Sequence, residues 1–232
     1  MDPKIYTTEE WHAAAPSRAV TVVGRPKLVV DHHTAGHAPQ LDPQPTESLE
    51  EAFAYARSLQ RYHMQHNGWI DSGHNFLVTR AGYILEGRHG SLRAITAGRM
   101  VLSAHAPGAN RNPGIEHEHL GAEDLTAAQK QASVALHTFI CRRTGIAPTE
   151  FYPHSHFNST ECPGAVVVRW LPELKTRVAR ALGTGRGRGL SAWLDWAQWR
   201  LGLGPWRGHP GDPMLRPEPP PSLRSVLERA AR

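Results

Sequence analysis

The sequence predicts an α/β fold in which a mixed central β-sheet is flanked by helices. Apolar runs at 27–31 and 76–85 are rich in branched and aromatic residues, which is typical of buried strands. Longer segments at 49–66 and 126–144 carry apolar residues at the spacing of a helix that buries one face. Together they indicate helices packed on a sheet, with functional side chains on loops at the strand ends.

Three elements are predicted in the first half of the chain. The run at 27–31 is short and nearly continuous in apolar residues, as expected of a central strand. The helix at 49–66 follows Thr46-Glu-Ser-Leu49, a stretch that can supply its N-terminal cap. The run at 76–85 is interrupted by Gly82, which predicts a hairpin with a glycine turn.

Three more elements are predicted in the second half. Residues 114–119 alternate in polarity and predict another strand. The segment 126–144 predicts an amphipathic helix that ends at Gly145, a usual stop signal. Pro172 lies inside the periodic segment 166–182, so we expect a break there, with Pro172 in the first turn of a last helix.

The length of 232 residues accommodates one domain of ordinary size and an appendage. We predict a first domain over 1–182, a Gly- and Arg-rich linker over 183–189, and an extension rich in Trp and Pro over 190–232. Three tryptophans of the extension share one helical stripe: Trp193, Trp196 and Trp199. They indicate either a small binding module or a segment that packs back on the first domain. The short length favours the second interpretation.

A candidate metal site is indicated by a histidine and a cysteine on one predicted loop. His154 precedes Cys162 by eight positions, which is too far for a zinc-finger knuckle, where about two to four residues separate the ligands. His32, at the end of the first strand, can complete a set of two histidines and one cysteine. Three protein ligands leave a fourth position on zinc open, and an open position is where water is activated. The set therefore indicates a hydrolase.

Histidine and cysteine also have commoner roles than metal binding. The chain has 15 histidines, and most of them should be surface or structural residues. It has two cysteines, too few for a disulfide framework, although a single disulfide between them is conceivable. Cys141 lies in an apolar helical run and is expected in the core, whereas Cys162 lies between polar residues and Pro-Gly.

Six motifs, in order, resemble those of the zinc amidases that cut peptidoglycan. This is the type-2 N-acetylmuramoyl-L-alanine amidase superfamily, which includes phage lysozyme-like amidases and animal peptidoglycan recognition proteins. The resemblance extends from about Thr8 to about Leu182. It implies that the predicted mixed sheet with flanking helices has the fold of this superfamily. The motifs are His32-His-Thr-Ala35, Asn67–Val78, Glu86-Gly-Arg88, Ala104–Asn110, Gly114-Ile-Glu116 and His154–Gly164.

The resemblance implies one zinc ion held by His32, His154 and Cys162. His33 competes for the first position, but it would point to the opposite face of the strand. His156 competes for the second position but lacks the eight-residue spacing to the cysteine. If His156 were a fourth ligand, the site would be closed and purely structural.

The implied reaction is hydrolysis of the amide between N-acetylmuramic acid and L-alanine, with zinc lowering the pKa of its bound water to ~7. Glu116 lies in the Gly-Ile-Glu segment and is expected to act as general base and acid. Its alternative is a solvated carboxylate on a strand. His74 stands where many members carry a tyrosine, and we expect it to line the site and aid proton transfer. Thr160, two residues before the cysteine, is expected to stabilise the oxyanion.

Substrate contacts are expected from His105 and Asn110 on a loop interrupted by Gly and Pro. Arg88 can pair with a stem-peptide carboxylate through its planar fork, or it can be a structural arginine. The alternative function is a non-catalytic peptidoglycan-binding protein of the same fold, as is found among relatives that lost the cysteine. Because Cys162 is present, the enzyme is favoured. Paired carboxylates suited to a muramidase do not stand out.

Charge and composition define the expected partners and setting. The net charge of +5 and the pI near 9.6 favour adhesion to an anionic polymer such as a cell wall, and 190–232 is a candidate wall-binding segment. No nucleic-acid motif and no membrane span are recognisable. We do not expect residues 1–6 to be a signal peptide. We expect a monomer in the host cytoplasm before release to the wall, as for a phage endolysin, or a bacterial cytoplasmic enzyme.

Overall fold

The structure is a computed structural model that describes residues 2–34, 46–119, 121 and 123–183. Apart from Gly183, the predicted linker and the predicted extension at 190–232 lie outside the described residues. The division of the chain into a first domain, a linker and an extension therefore stays a prediction.

Seven strands and four α-helices lie within the described ranges. The strands are β1 Val22–Val23, β2 Val29–His33, β3 Phe76–Val78, β4 Ile84–Glu86, β5 Met100–Val101, β6 Gly114–His117 and β7 Phe151–Pro153. The helices are α1 Leu49–Gln65, α2 Ser91–Thr96, α3 Ala127–Thr144 and α4 Gly164–Ala181. None of these helices is long and apolar enough to cross a bilayer.

The central sheet has five strands in the order β4-β3-β6-β2-β7. β2 runs parallel to both β6 and β7, and β3 runs parallel to β6. β3 and β4 form the predicted antiparallel hairpin, and Gly82 at its turn has a φ of 87°, a value that favours glycine. β1 and β5 pair separately. The mixed sheet with flanking helices confirms the predicted fold class.

The ends of α1 and α3 follow the predicted local signals. Ser48 and Glu51 form a reciprocal cap, in which each side chain accepts a hydrogen bond from the other residue's backbone N–H. Thr126 caps α3 by accepting from the backbone N–H of Gln129 at 3.0 Å. Gly145 ends α3 in the left-handed conformation.

The predicted break at Pro172 is wrong, because α4 is continuous from Gly164 to Ala181 with Pro172 in its interior. Proline lacks an N–H, so the carbonyl of Val168 loses its helical partner. Val168 is exposed, and water can satisfy that carbonyl. Burial of one apolar stripe holds the helix together on both sides of the proline, through Val167, Trp170, Leu171, Leu174 and Val178.

The two faces of the sheet pack on different helices. One face meets α3 and α4 in the largest apolar cluster, and the other meets α1 in a second cluster that includes Leu59 and Leu77. Side chains alternate between the faces along each strand. Glu116 is the register partner of both His32 and Leu77, so all three point to the α1 face.

Candidate metal centre

The sheet register brings His32 and Glu116 side by side. β2 and β6 are parallel neighbours, and these two residues lie opposite each other near the strand ends. Both side chains project from the face of the sheet that packs on α1, and both residues are almost fully buried, with exposures of 2% and 3%. A histidine and a carboxylate are therefore held at fixed positions by backbone hydrogen bonds of the sheet.

His154 and Cys162 reach the same place from the segment that follows β7. β7 pairs with β2, with Pro153 level with Asp31, so His154 lies beside His32 and their ring centroids are 4.4 Å apart. Between His154 and Cys162 the chain turns back, and the backbone N–H of Ser155 donates to the carbonyl of Cys162 at 2.9 Å. Because of this turn, the sulfur of Cys162 lies close to the ring of His154.

The three predicted ligands form one donor cluster. The ligand atoms of His32, His154 and Cys162 all lie within 4.8 Å of one another. Cys162 Sγ is 3.6 Å from His32 Nδ1. With zinc–sulfur and zinc–nitrogen bonds of about 2.3 and 2.1 Å, a shared tetrahedral ion would separate these two atoms by about 3.6 Å. The donor set and this separation both fit a zinc ion.

Neither competing histidine belongs to the cluster. His33 lies on the opposite face of β2, where its ring is 6.0 Å from that of His119. Only its backbone contributes, since its N–H donates to Cys162 Sγ at 3.4 Å. His156 is exposed, and its ring lies 4.6 Å from that of Tyr152.

A hydrogen-bonded chain fixes the tautomer of His32. His105 Nε2 donates to the carbonyl of Asn112 at 2.9 Å, so its Nδ1 carries a lone pair. That lone pair accepts from His32 Nε2, also at 2.9 Å. The Nδ1 of His32 is therefore unprotonated on the side of Cys162, which is the form a metal requires.

His105 thus acts on His32, whereas the sequence suggested a groove-wall contact with substrate. It is 4% exposed, and it packs so closely on β6 that a Cβ at Gly114 would lie 2.4 Å from its ring. The substrate role of His105 stays a prediction, and its contacts explain why glycine precedes the Ile-Glu of the motif.

Two asparagines complete the surroundings of the ligands and were not identified from the sequence. Asn158 Oδ1 lies 3.0 Å from Nε2 of His154, which leaves the Nδ1 of that ring for a metal. Its position four residues after His154 is a local signal that was available. Asn112 acts through its backbone carbonyl, and no side-chain pattern identifies such a role.

Burial keeps the imidazoles of His32 and His105 neutral, as the metal site requires, but it favours the protonated form of the Cys162 thiol. It lowers the pKa of His32 well below its usual value and that of His105 to about 3, so both imidazoles are neutral at pH 7. Burial also raises the pKa of the Cys162 thiol to about 12. A thiolate at this position therefore needs a cation beside it, which a divalent metal supplies.

Glu116 and His74 form a close pair beside His32. His74 Nε2 is 2.9 Å from Glu116 Oε2, and both residues are buried. Burial raises the pKa of Glu116 to about 7 and lowers that of His74 to about 3. Glu116 is therefore not a solvated surface carboxylate. A carboxyl group that titrates near neutrality suits proton transfer at neutral pH.

The remaining predicted site residues are not part of the donor cluster. The Thr160 hydroxyl accepts from the backbone N–H of Cys162 at 3.2 Å, close to the cluster but exposed. Asn110 Oδ1 accepts from the backbone of Ala106. Arg88 is buried and donates to the carbonyls of Ser72 and Leu102, both at 2.7 Å. The catalytic role of Thr160 and the substrate roles of Asn110 and Arg88 stay predictions.

Residues 23–165 match the family model described as N-acetylmuramoyl-L-alanine amidase. The chain belongs to this amidase family. Among relatives of the amidase domain, peptidoglycan-recognition protein SC2 of Drosophila melanogaster is 29% identical over 163 residues, which cover 69% of this chain and 80% of that protein. The N-acetylmuramoyl-L-alanine amidase of Homo sapiens is 31% identical over 173 residues, covering 70% of this chain and 27% of that protein.

Solved structures share the fold of the amidase domain. Peptidoglycan recognition protein LE in complex with tracheal cytotoxin superposes with a TM-score of 0.60 at 27% identity, covering 74% of this chain and 92% of that one. The endolysin amidase LysCS from Clostridium intestinale superposes with a TM-score of 0.56 at 22% identity, covering 75% and 95%. The predicted family and fold are confirmed.

Proposed function

We propose that the protein is a zinc-dependent hydrolase that cleaves the amide between N-acetylmuramic acid and L-alanine in peptidoglycan. The observation that carries the proposal is the 3.6 Å separation of Cys162 Sγ and His32 Nδ1. His154 completes that donor set, and the buried Glu116 stands beside it. Membership of the amidase family supports the assignment of this amide as the bond that is cleaved.

One zinc ion is the metal that suits this set best. Thiolate and imidazole donors favour zinc over hard cations such as magnesium. His32, His154 and Cys162 would hold the ion through three protein ligands, the number found in catalytic zinc sites. When bound, zinc supplies Lewis acidity, which polarises the scissile carbonyl and acidifies water.

Glu116 is the proposed proton carrier. Its carboxylate adjoins His32 on the neighbouring strand, so it can accept a proton from the attacking water and return it to the leaving amine. The pKa of about 7 lets both transfers occur near neutral pH. His74, whose Nε2 is 2.9 Å from the carboxylate, would aid proton transfer by donating a hydrogen bond to the ionised carboxyl group or accepting one from the protonated form.

Thr160 and the neighbouring backbone are the proposed oxyanion stabilisers. The hydroxyl oxygen of Thr160 accepts from the N–H of Cys162, which leaves its own hydrogen free to donate. A hydroxyl aimed at the attacked carbonyl would stabilise the charge that develops there.

Peptidoglycan is the proposed partner and a wall-lytic role the proposed setting. Named relatives are peptidoglycan recognition proteins, and the net charge of +5 favours adhesion to an anionic wall. We extend the proposal to a monomeric phage endolysin or bacterial wall-lytic enzyme, with 190–232 as a candidate wall-binding segment. The competing proposal is a peptidoglycan-binding protein without catalysis, which the recognition proteins among the relatives support.

The deciding experiment measures cleavage and metal content together. Purified muropeptides are incubated with the full chain as prepared, after chelation, and after addition of one equivalent of zinc, and free stem peptides are identified by mass spectrometry. The amidase proposal expects stem peptides with a free L-alanine N-terminus, lost on chelation and restored by zinc. Binding of muropeptide without release would favour the recognition protein instead.

A further inference from the structure

We propose that His32, His74 and Glu116 form a second metal-binding set, which competes with the set of His32, His154 and Cys162 for a single ion. The ligand atoms of the second set also lie within 4.8 Å of one another. Unlike the first set, all three members are buried, with residue exposures of 2%, 6% and 3%. Two imidazoles and one carboxylate are a known protein ligand set for divalent first-row metals.

The spacing of His74 and Glu116 suits chelation. Their facing atoms, Nε2 and Oε2, are 2.9 Å apart. Bonds of about 2.1 Å to one ion would separate them by about 3.0 Å at an octahedral angle and about 3.4 Å at a tetrahedral one. The observed separation is closest to the octahedral value, so the pair can close on an ion with little movement.

The hydrogen bonding of this pair is incomplete, which a cation would remedy. Within the described part of the chain, neither Glu116 Oε2 nor His74 Nδ1 has an aligned hydrogen-bond partner. With its hydrogen on Nδ1, the neutral imidazole of His74 would direct the lone pair of Nε2 toward the carboxylate, which is the arrangement that a shared cation requires.

The two sets exclude each other because they share His32. Its Nε2 is 2.9 Å from His105 Nδ1, so Nδ1 is the nitrogen left for a metal. One lone pair cannot serve two ions. Donor chemistry then decides the distribution: the thiolate of Cys162 holds zinc in the first set, and loss of that thiolate, or a harder ion such as Mn²⁺, favours the second.

The consequence for activity rests on the proposed function. An ion in the second set would occupy Glu116 and His74, the groups proposed to handle protons. The protein would then be metal-loaded and inactive. Metal content alone would not distinguish this state from the active one, whereas the identity of the ligands does.

Cobalt titration of the full chain tests the second set directly. Co²⁺ bound to wild type should give the near-ultraviolet thiolate-to-cobalt absorption, because Cys162 is a ligand. C162A should still bind one equivalent of Co²⁺, now without that absorption. Adding E116Q to C162A should weaken binding by at least about tenfold. Adding H154A to C162A is the matched control and should leave the affinity unchanged, since His154 belongs to the first set only.

Two results would overturn the proposal. One is the absence of stoichiometric Co²⁺ binding by C162A that circular dichroism shows to be folded, with C162S as the substitute if C162A does not fold. The other is binding by C162A that H154A abolishes or that E116Q leaves intact. These readouts are independent of catalysis, so an amidase proposal that failed in the muropeptide assay would leave this test unaffected.

Discussion

Asp31 and His117 form a fully buried pair on the face of the sheet opposite to the candidate metal ligands. Asp31 Oδ1 is 2.9 Å from Nε2 of His117 and 3.2 Å from Nε2 of His137 on α3. His137 Nδ1 lies 2.8 Å from the carbonyl of Ser133, so this nitrogen carries a hydrogen that it donates to that carbonyl. The strand that carries His32 is thus tied to β6 and α3 from behind.

Removal of this carboxylate should destabilise the fold strongly. Burial alone raises the pKa of Asp31, but the charges and hydrogen bonds of His137 and His117 outweigh it and hold the pKa well below its usual range. Asp31→Ala would leave two buried imidazoles without the carboxylate that both contact, and we expect a loss of about 3–5 kcal/mol in the free energy of unfolding. Urea unfolding measures the loss.

Asp2→Ala is the matched control for that experiment. Asp2 pairs with Arg143 at the surface, where an ion pair contributes about 0–1 kcal/mol. Equal effects of the two substitutions would mean that the buried network contributes no more to stability than a surface ion pair does.

His105 should control metal affinity without contacting the metal. His105→Ala removes the acceptor that holds His32 Nε2, so the ring and its tautomer are no longer fixed. We expect zinc affinity to fall by about 10- to 100-fold, measured by competition with a chromophoric chelator. Gly114→Ala should have a similar effect, because the added Cβ would lie 2.4 Å from the His105 ring. His156→Ala is the control and should retain wild-type affinity.

Glu116→Gln should separate proton transfer from metal binding when the ion is held by His32, His154 and Cys162. Glutamine keeps the size of the side chain but cannot accept and return a proton. We expect muropeptide turnover to fall by about 10²- to 10⁴-fold, with one zinc per chain still bound. Turnover close to wild type would transfer the proton-carrying role to His74.

Thr160→Ala should lower turnover less than Glu116→Gln does. The substitution removes the hydroxyl proposed to stabilise the oxyanion and also an acceptor for the N–H of Cys162. A tenfold or greater fall in kcat with zinc content unchanged supports the role, by analogy with the loss of one oxyanion donor at about 10²-fold or more. An unchanged kcat would remove Thr160 from the mechanism.

Elements, and the convergence of the candidate ligands, were predictable where the signal is local in sequence. The caps of α1 and α3 depend on residues within a few positions of the helix ends, and the structure has them as predicted. The spacing of His154 and Cys162 is likewise local, and the intervening turn brings both to His32. Pro172 was misjudged because tertiary burial of one stripe of α4 outweighs a local helix-breaking preference.

Contacts between segments that are distant along the chain could not be predicted from the sequence. The position of His105 depends on the close approach that Gly114 permits and on the carbonyl of Asn112. The pairing of Asp31 with His137 depends on which helix covers that face of the sheet. Neither follows from spacing along the chain, because each requires the strand order and the packing of α3.

The pair of Asp71 and His89 should make stability depend on pH in a defined window. Asp71 is buried, and its Oδ2 lies 2.9 Å from His89 Nδ1. Burial raises the pKa of Asp71, but hydrogen bonds from His89 and Gln60 leave it below its ordinary value of 3.8. The hydrogen bond to Asp71 raises the pKa of His89 above 6.5.

The sign of the effect follows from these two directions. Because the pKa of Asp71 is lowered in the folded state, its ionised form stabilises the fold above about pH 4, and this stabilisation is lost as the pH falls further. Because the pKa of His89 is raised, its protonated form stabilises the fold below 6.5, and this stabilisation is lost as the pH rises through the pKa of the folded state. The charged pair therefore contributes most between about pH 4 and 6.5. His89→Ala should cost more at pH 5.5 than at pH 9, by a difference on the order of 1 kcal/mol in urea unfolding. In an Asp71→Asn background that difference should vanish, and its persistence there would assign the pH dependence to another group.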